Sequence, residues 1–185
     1  LLNDRAAAKT MDDRACVGAL LCAAERLQTM SHMCDVYFVA SSQEEVGAQG
    51  AYVAAYTVDP DLAVVLDVTH ATIPASRTDT TVPLDAPALN YGPFIQHKLL
   101  ERMKNVAKHN GLKYNLEPST NRTGTDTDEI QIVRSGVPCV LIDLPLKYMH
   151  TSVELLDMTV MEDCGRLLAL FLADINEKWG DELWN

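Results

Sequence analysis

Four stretches of the 185-residue chain hold side chains able to do chemistry: the adjacent Asp12 and Asp13, the pair Glu44 and Glu45, Asp67 inside the apolar run Leu62–Val68, and His150 shortly after CVLID. Carboxylate oxygens and an imidazole, with no thiolate among them, form a donor set that suits Zn²⁺, Co²⁺ or Mn²⁺. Carboxylates gathered within about 4–6 Å disfavour one another's ionisation unless a cation sits among them. If these residues converge, they predict a divalent metal site, and one carboxylate bridging two ions about 3.5–4 Å apart would make it dinuclear. Each residue also has a plainer reading: Asp12 and Asp13 as helix caps, Glu44 and Glu45 as a solvated turn, Asp67 as half of a salt bridge, His150 as an ordinary histidine like His32, His97 and His109. Asp67 is the hardest to set aside, because a carboxylate within LAVVLDV is costly to bury unpaired. Thr125 and Asp126 in Gly124–Asp126 read as a loop and helix cap, with a supporting or substrate-facing role open to them.

These side chains meet only if the elements between them bring them together. Val17, Leu20, Leu21, Ala24 and Leu27 recur at helical spacing from Asp12 to about Met30, with both aspartates at the positive end of the helix. Asp35–Ala40, β-branched and aromatic, predicts a strand; Ala48–Tyr56 predicts a short helix entered through Gly47; Leu62–Val68 predicts a strand covered on both faces. The proline-rich Thr72–Pro93 predicts a surface excursion ending in an edge strand near Ala88–Tyr91. A helix over Phe94–Asn110, a strand at Tyr114–Glu117 and a helix over Asp126–Ser135 follow. Cys139–Asp143 is a second buried strand. Thr159–Trp179 closes the chain as a long helix with Leu167, Leu168, Phe171, Leu172 and Ile175 on its core face. Alternating strands and helices point to an α/β fold, a three-layer α/β/α sandwich on a mainly parallel, mixed sheet. Ligands bind such sheets beyond the carboxyl ends of the strands, where Glu44, Glu45, Asp67 and His150 fall.

Composition removes several alternatives. Fifteen Lys and Arg against 26 Asp and Glu leave a net charge of −11, with the basic residues scattered, so a grip on nucleic acid is not expected. The apolar stretches Ala63–Leu66 and Leu167–Ala173 are far short of the roughly 20 residues of a membrane span. Five cysteines with no C-x-x-C pair read as reduced core thiols of a cytoplasmic protein. No Gly-x-Gly-x-x-Gly, Walker or Gly-x-Ser-x-Gly motif supports nucleotide binding or a serine nucleophile. A start at Leu1, without methionine, raises the expectation of a fragment.

MDDRACVGALL, SSQEEVGAQGAYVAAYTVDPDLAVVLDVTHA, GTDTDEIQIVRSGVPCVLIDLPLKYMHTSVE and the closing helix together resemble the glutamyl or deblocking aminopeptidase family of dinuclear metallopeptidases. These are tetrahedral, dodecameric enzymes also labelled cellulase M or endoglucanase. The resemblance implies a zinc-peptidase-like fold incomplete on its amino-terminal side, with residues 1–185 as a single catalytic domain lacking an upstream segment and an inserted β-rich domain. It implies that Asp12 bridges two divalent ions (zinc or cobalt), with a non-proline cis peptide between Asp12 and Asp13. It further implies that Glu44 is the general base, that Glu45 and His150 complete one metal, and that Asp67 ligates the other, whose histidine ligand lies upstream of the residues seen here. His70, in DVTHA, carries no role, and Lys147 stands where the family commonly has Arg, a weaker clamp for a carboxylate. Peptide substrates held by their free amino terminus, and homo-oligomers, follow from the same likeness. So does the expectation that this piece alone has little activity and self-associates through an uncovered edge or apolar face. Two other classes remain as readings: an assembly protein that keeps the fold without the chemistry, and a glycosidase using two carboxyls about 5–10 Å apart without metal.

Overall fold

Two apolar runs set the centre of the sheet. In the computed structural model, which describes residues 1–77 and 79–184, Ala63–His70 (β2) and Cys139–Leu146 (β5) lie parallel, in register from Ala63 opposite Cys139 to His70 opposite Leu146. Every residue of β5 is buried, as expected of a strand with a neighbour on each side and layers above and below. Ala88–Tyr91 (β3) runs antiparallel to β5 and parallel to Asn115–Pro118 (β4), giving the order β2-β5-β3-β4 and a mixed sheet. β3 is therefore an inner strand and not the edge that its prolines suggested: the prolines flank it and none lies within it, so all its ladder donors remain. The preceding excursion is also less superficial than expected, because Val82, Leu84 and Ala86 are buried at alternate positions on the way in.

Helices cover both faces. At the amino ends of β2 and β5, Ala63 and Cys139 join a small cluster with Ala55 of Gln49–Val58 (α2) and Val133, beside Thr127–Ile130 (α4). Their chain neighbours Val64 and Val140 join the main core instead; successive strand residues face opposite ways, so the two clusters lie on opposite sides of the sheet. The main core is filled by Met11–Leu27 (α1), His97–His109 (α3) and Met158–Asp174 (α5). α1 buries Ala15, Cys16, Ala19, Ala23 and Leu27, a face rotated from the one the larger residues suggested, and Leu21 is 62% exposed. The reason is close approach: an added Cβ at Gly165 of α5 would fall 2.5 Å from the Ala19 carbonyl oxygen, so only small side chains fit between the helices.

Other boundaries moved for local reasons. Asp35–Ala40 has no ladder partner among the described residues, and Tyr37, Phe38 and Val39 are exposed; β-propensity without a neighbouring strand gives no sheet. The helix expected from Asp126 to Ser135 shortens to α4, and the Asp128 carboxylate folds back onto the Thr123 and Gly124 amides. The closing helix stops at Asp174. Ile175 turns extended while remaining buried, Asn176 accepts from the Lys178 amide, and Trp179–Trp184 forms a separate helix, α6. A second, two-stranded sheet pairs Arg5–Ala8 (β1) antiparallel with Glu154–Asp157 (β6). Among the described residues no helix is long and apolar enough to cross a membrane, and all five cysteines are unpaired.

Candidate active site

β1, near residue 5, pairs with β6, about 150 residues later, and this pairing brings Asp12 beside His150. Asp12 lies in the first turn of α1 with non-helical backbone angles, and the Asp12–Asp13 peptide is cis, as the family resemblance implied. Neither aspartate caps the helix: Thr10 occupies the cap position and makes no side-chain cap bond. His150 sits in the loop after β5 with a positive φ of 61°, and its Nε2 lies 3.0 Å from Asp12 Oδ2 and 3.8 Å from Glu45 Oε2. The potential ligand atoms of Asp12, Glu45 and His150 lie within 4.8 Å of one another.

Glu44 and Glu45 enter on a 3-10 turn, Glu44–Val46, flanked by Gln43 and Gly47 in left-handed conformations. The turn is held close to α2, because the Gly50 amide donates to the Ser42 carbonyl and a Cβ at Gly50 would meet that oxygen at 2.3 Å. Both glutamates, Asp12, His150 and Asp67 line one cavity of about 440 Å³ beside the carboxyl-terminal halves of β2 and β5. Asp67 is buried, with one oxygen accepting from the Val68 amide 2.8 Å away, and it stands outside the converged trio.

The electrostatics are those of carboxylates short of positive charge. Burial, then Glu45, raises the Asp12 pKa, partly offset by His150. Burial and the neighbouring Asp12 push Asp13 to about 6; burial and Asp126 push Glu44 to about 7; burial pushes Asp67 to about 8 against the pull of the Val68 amide. An acidic group so crowded, with an imidazole and two carboxylates converging on one point, fits a divalent cation by its donor chemistry.

Gly124–Asp126 forms the loop and cap expected of it, with the parts divided: Asp126 holds the cap position of α4 without a side-chain cap bond, and the Thr125 hydroxyl accepts from the Thr127 amide at 3.2 Å. Asp126 instead accepts from the Ser41 hydroxyl at 2.5 Å and crowds Glu44 from behind. Opposite, the register sets Asp67 beside Asp143, and Asp143 is packed against Glu117. Burial raises both, so the pair favours one shared proton and one charge. Thr69 donates to Glu117 at 2.6 Å, Asn90 to Asp143 at 3.3 Å, and Ser119 to Asn90 at 2.7 Å. Arg122, on the same wall, is neutralised by Asp128 and Glu129. The registers of β2 with β5 and β3 with β4 assemble this wall, and register is invisible in a single chain's sequence. His70 lines the cavity as well.

The profile of the M42 glutamyl aminopeptidase family matches residues 1–167. A lysyl aminopeptidase from Pyrococcus furiosus is 36% identical over 176 residues, covering 95% of this chain and 50% of that protein. Among solved structures, a TET aminopeptidase from the marine sediment archaeon Thaumarchaeota archaeon SCGC AB-539-E09 superposes with a TM-score of 0.90 at 31% identity, over 97% of this chain and 52% of that one. An aminopeptidase from the archaeon Desulfurococcus kamchatkensis gives a TM-score of 0.91 at 30% identity, over 100% of this chain and 53% of its own. The chain spans about half the length of the relatives it matches.

Proposed function

The chain belongs to the M42 glutamyl aminopeptidase family, and on that premise we infer that it carries the site of a metal-dependent aminopeptidase that removes amino-terminal residues from peptides. The observation that supports this best is the convergence of Asp12, Glu45 and His150 from three distant parts of the sequence. These three would hold one divalent ion, zinc or cobalt, and Asp67 is the proposed ligand of a second. A divalent ion supplies Lewis-acid chemistry there, lowering the pKa of water and polarising a peptide carbonyl.

Glu44 is the proposed general base. It lines the same cavity as the trio, placed to take a proton from the attacking water and pass it on; in the cation-free site burial and Asp126 raise its pKa to about 7. As the water oxygen bonds to the carbonyl carbon and the C–N bond breaks, that proton passes from Glu44 to the leaving amine. The side of the cavity formed by Glu117 and Asp143 carries uncompensated negative charge, since Arg122 is already paired. It favours a basic amino-terminal residue, in keeping with the name of the Pyrococcus relative.

Titration of the chain with Zn²⁺ or Co²⁺, followed by hydrolysis of lysyl-, leucyl- and glutamyl-anilides, tests the reading. Expected are stoichiometric uptake and metal-dependent cleavage that is weak for this piece alone and fastest for the lysyl substrate. Absence of uptake refutes the metal site and favours an assembly role, whereas cleavage of a cellulose derivative that survives chelator would move the site to the glycosidases.

A further inference from the structure

Glu154 lies at the start of β6, opposite Ala8 of β1, and is 2% exposed. Its carboxylate faces main chain. Oε2 accepts from the Met11 amide at 2.6 Å and the Asp12 amide at 3.2 Å, while Oε1 accepts from the His150 amide at 3.0 Å. Met11 and Asp12 are more than 140 residues away in sequence, whereas His150 is four residues away. A single side chain thus grips the backbone on both sides of the Asp12–His150 contact. The loop it grips is an unfavourable one, because Tyr148 and His150 both take left-handed backbone conformations that residues other than glycine rarely adopt. The Thr151 hydroxyl closes the same loop through the Tyr148 carbonyl at 2.7 Å.

Only an ionised carboxylate meets all three amides, since it accepts through both oxygens and offers no hydrogen of its own. A glutamine in its place would turn an NH₂ group toward one set of N–H donors. The negative charge also adds to the crowding on Asp12, a cost to the cation-free site that a bound cation would reverse.

We propose that Glu154 is a positioning residue for the metal centre: it fixes Asp12 and His150 at mutual ligation distance through their own backbone amides, and its charge strengthens the hold on a divalent cation. This rests on the reading of Asp12 and His150 as ligands.

The test is calorimetric titration of the 185-residue chain with Zn²⁺, comparing the parent, Glu154→Gln and Leu156→Ala. Leu156 is buried on the same strand but its side chain has no acceptor to offer the three amides, so it controls for a loss of stability alone. Glu154→Gln is expected to weaken zinc binding about 10- to 100-fold, the range for losing an outer partner of a ligand, while Leu156→Ala lowers the melting temperature and keeps the affinity. Metal-free hydrogen exchange should show the Met11, Asp12 and His150 amides protected in the parent and released in Glu154→Gln. Should that variant not fold, Glu154→Asp replaces it: it keeps the charge but is too short to reach both sets of amides, and it is expected to weaken binding too. Unchanged affinity in the folded Glu154 variant, or an equal loss in Leu156→Ala, overturns the proposal. A parent that takes up no zinc refutes the metal reading itself and this proposal with it, a result distinguishable from a parent that binds beside an unaffected variant.

Discussion

Removing divalent cations should leave a fold whose stability falls as pH rises through the neutral range, and Asp67, one of the cavity-lining carboxyls held well above its ordinary pKa, carries part of that fall. Its pKa is about 8 in the folded chain against an ordinary 3.8, chiefly because it is buried. The folded state therefore keeps a proton that the unfolded state has released. Stability from this group is complete below about pH 4, is lost steadily between about 4 and 8, and stays lost above. One pKa unit corresponds to about 1.4 kcal/mol, so the whole loss is on the order of 5 kcal/mol, a large part of the roughly 5–15 kcal/mol that holds a domain together. Asp143 acts in the same direction, so the diagnostic quantity is the difference between the parent and Asp67→Asn. Urea unfolding followed by circular dichroism at pH 5 and pH 8 in chelator should show the parent weakening by several kcal/mol and Asp67→Asn by clearly less. Saturating Zn²⁺ should restore the parent at pH 8, by about 2.7 kcal/mol at a hundred times its dissociation constant. Parallel pH profiles for parent and Asp67→Asn in chelator would refute the reasoning.

Four further outcomes are expected. Glu44→Gln should lower anilide turnover about 10²- to 10⁴-fold with zinc stoichiometry unchanged in calorimetry. Glu117→Gln should cut kcat/KM for a lysyl substrate about tenfold while sparing the leucyl one; equal losses on both would mean that the wall does not select side chains. Gly165→Ala, whose new methyl collides with the Ala19 carbonyl, should cost about 1–3 kcal/mol, read as a lower melting temperature. The exposed Tyr37, Phe38 and Val39 should drive concentration-dependent self-association in light scattering, reduced in Phe38→Lys; a monodisperse parent would remove that expectation.

Legibility followed the range of the interactions. The runs that became β2 and β5 were readable because each residue's burial is written in its own type, and DVYFVA misled because propensity cannot report a missing neighbour. α1 was placed correctly but with the wrong face inward, since periodicity favours large residues where Gly165 admits only small ones. At the site, Asp12, Glu44, Glu45, Asp67 and His150 were nameable from residue type and motif. Their distances were not, and neither was the standing of Asp67 apart from Asp12, Glu45 and His150. Glu154, in the stretch His150–Glu154, is silent in the sequence because its partners are backbone amides, two of them more than 140 residues away. The Glu117–Asp143 wall depends on strand register, which no single stretch encodes.

The pairing of β1 with β6 carries a consequence for synthesis. One donor emerges from the ribosome within the first dozen residues of this sequence and its imidazole counterpart only after nearly 140 more, a loop whose closure entropy grows slowly with length but cannot be met early. Until β6 has docked on β1, Asp12 and His150 are not held together. Under the proposed function, selective loading of a cation would therefore follow that docking and fall late in the folding of this region.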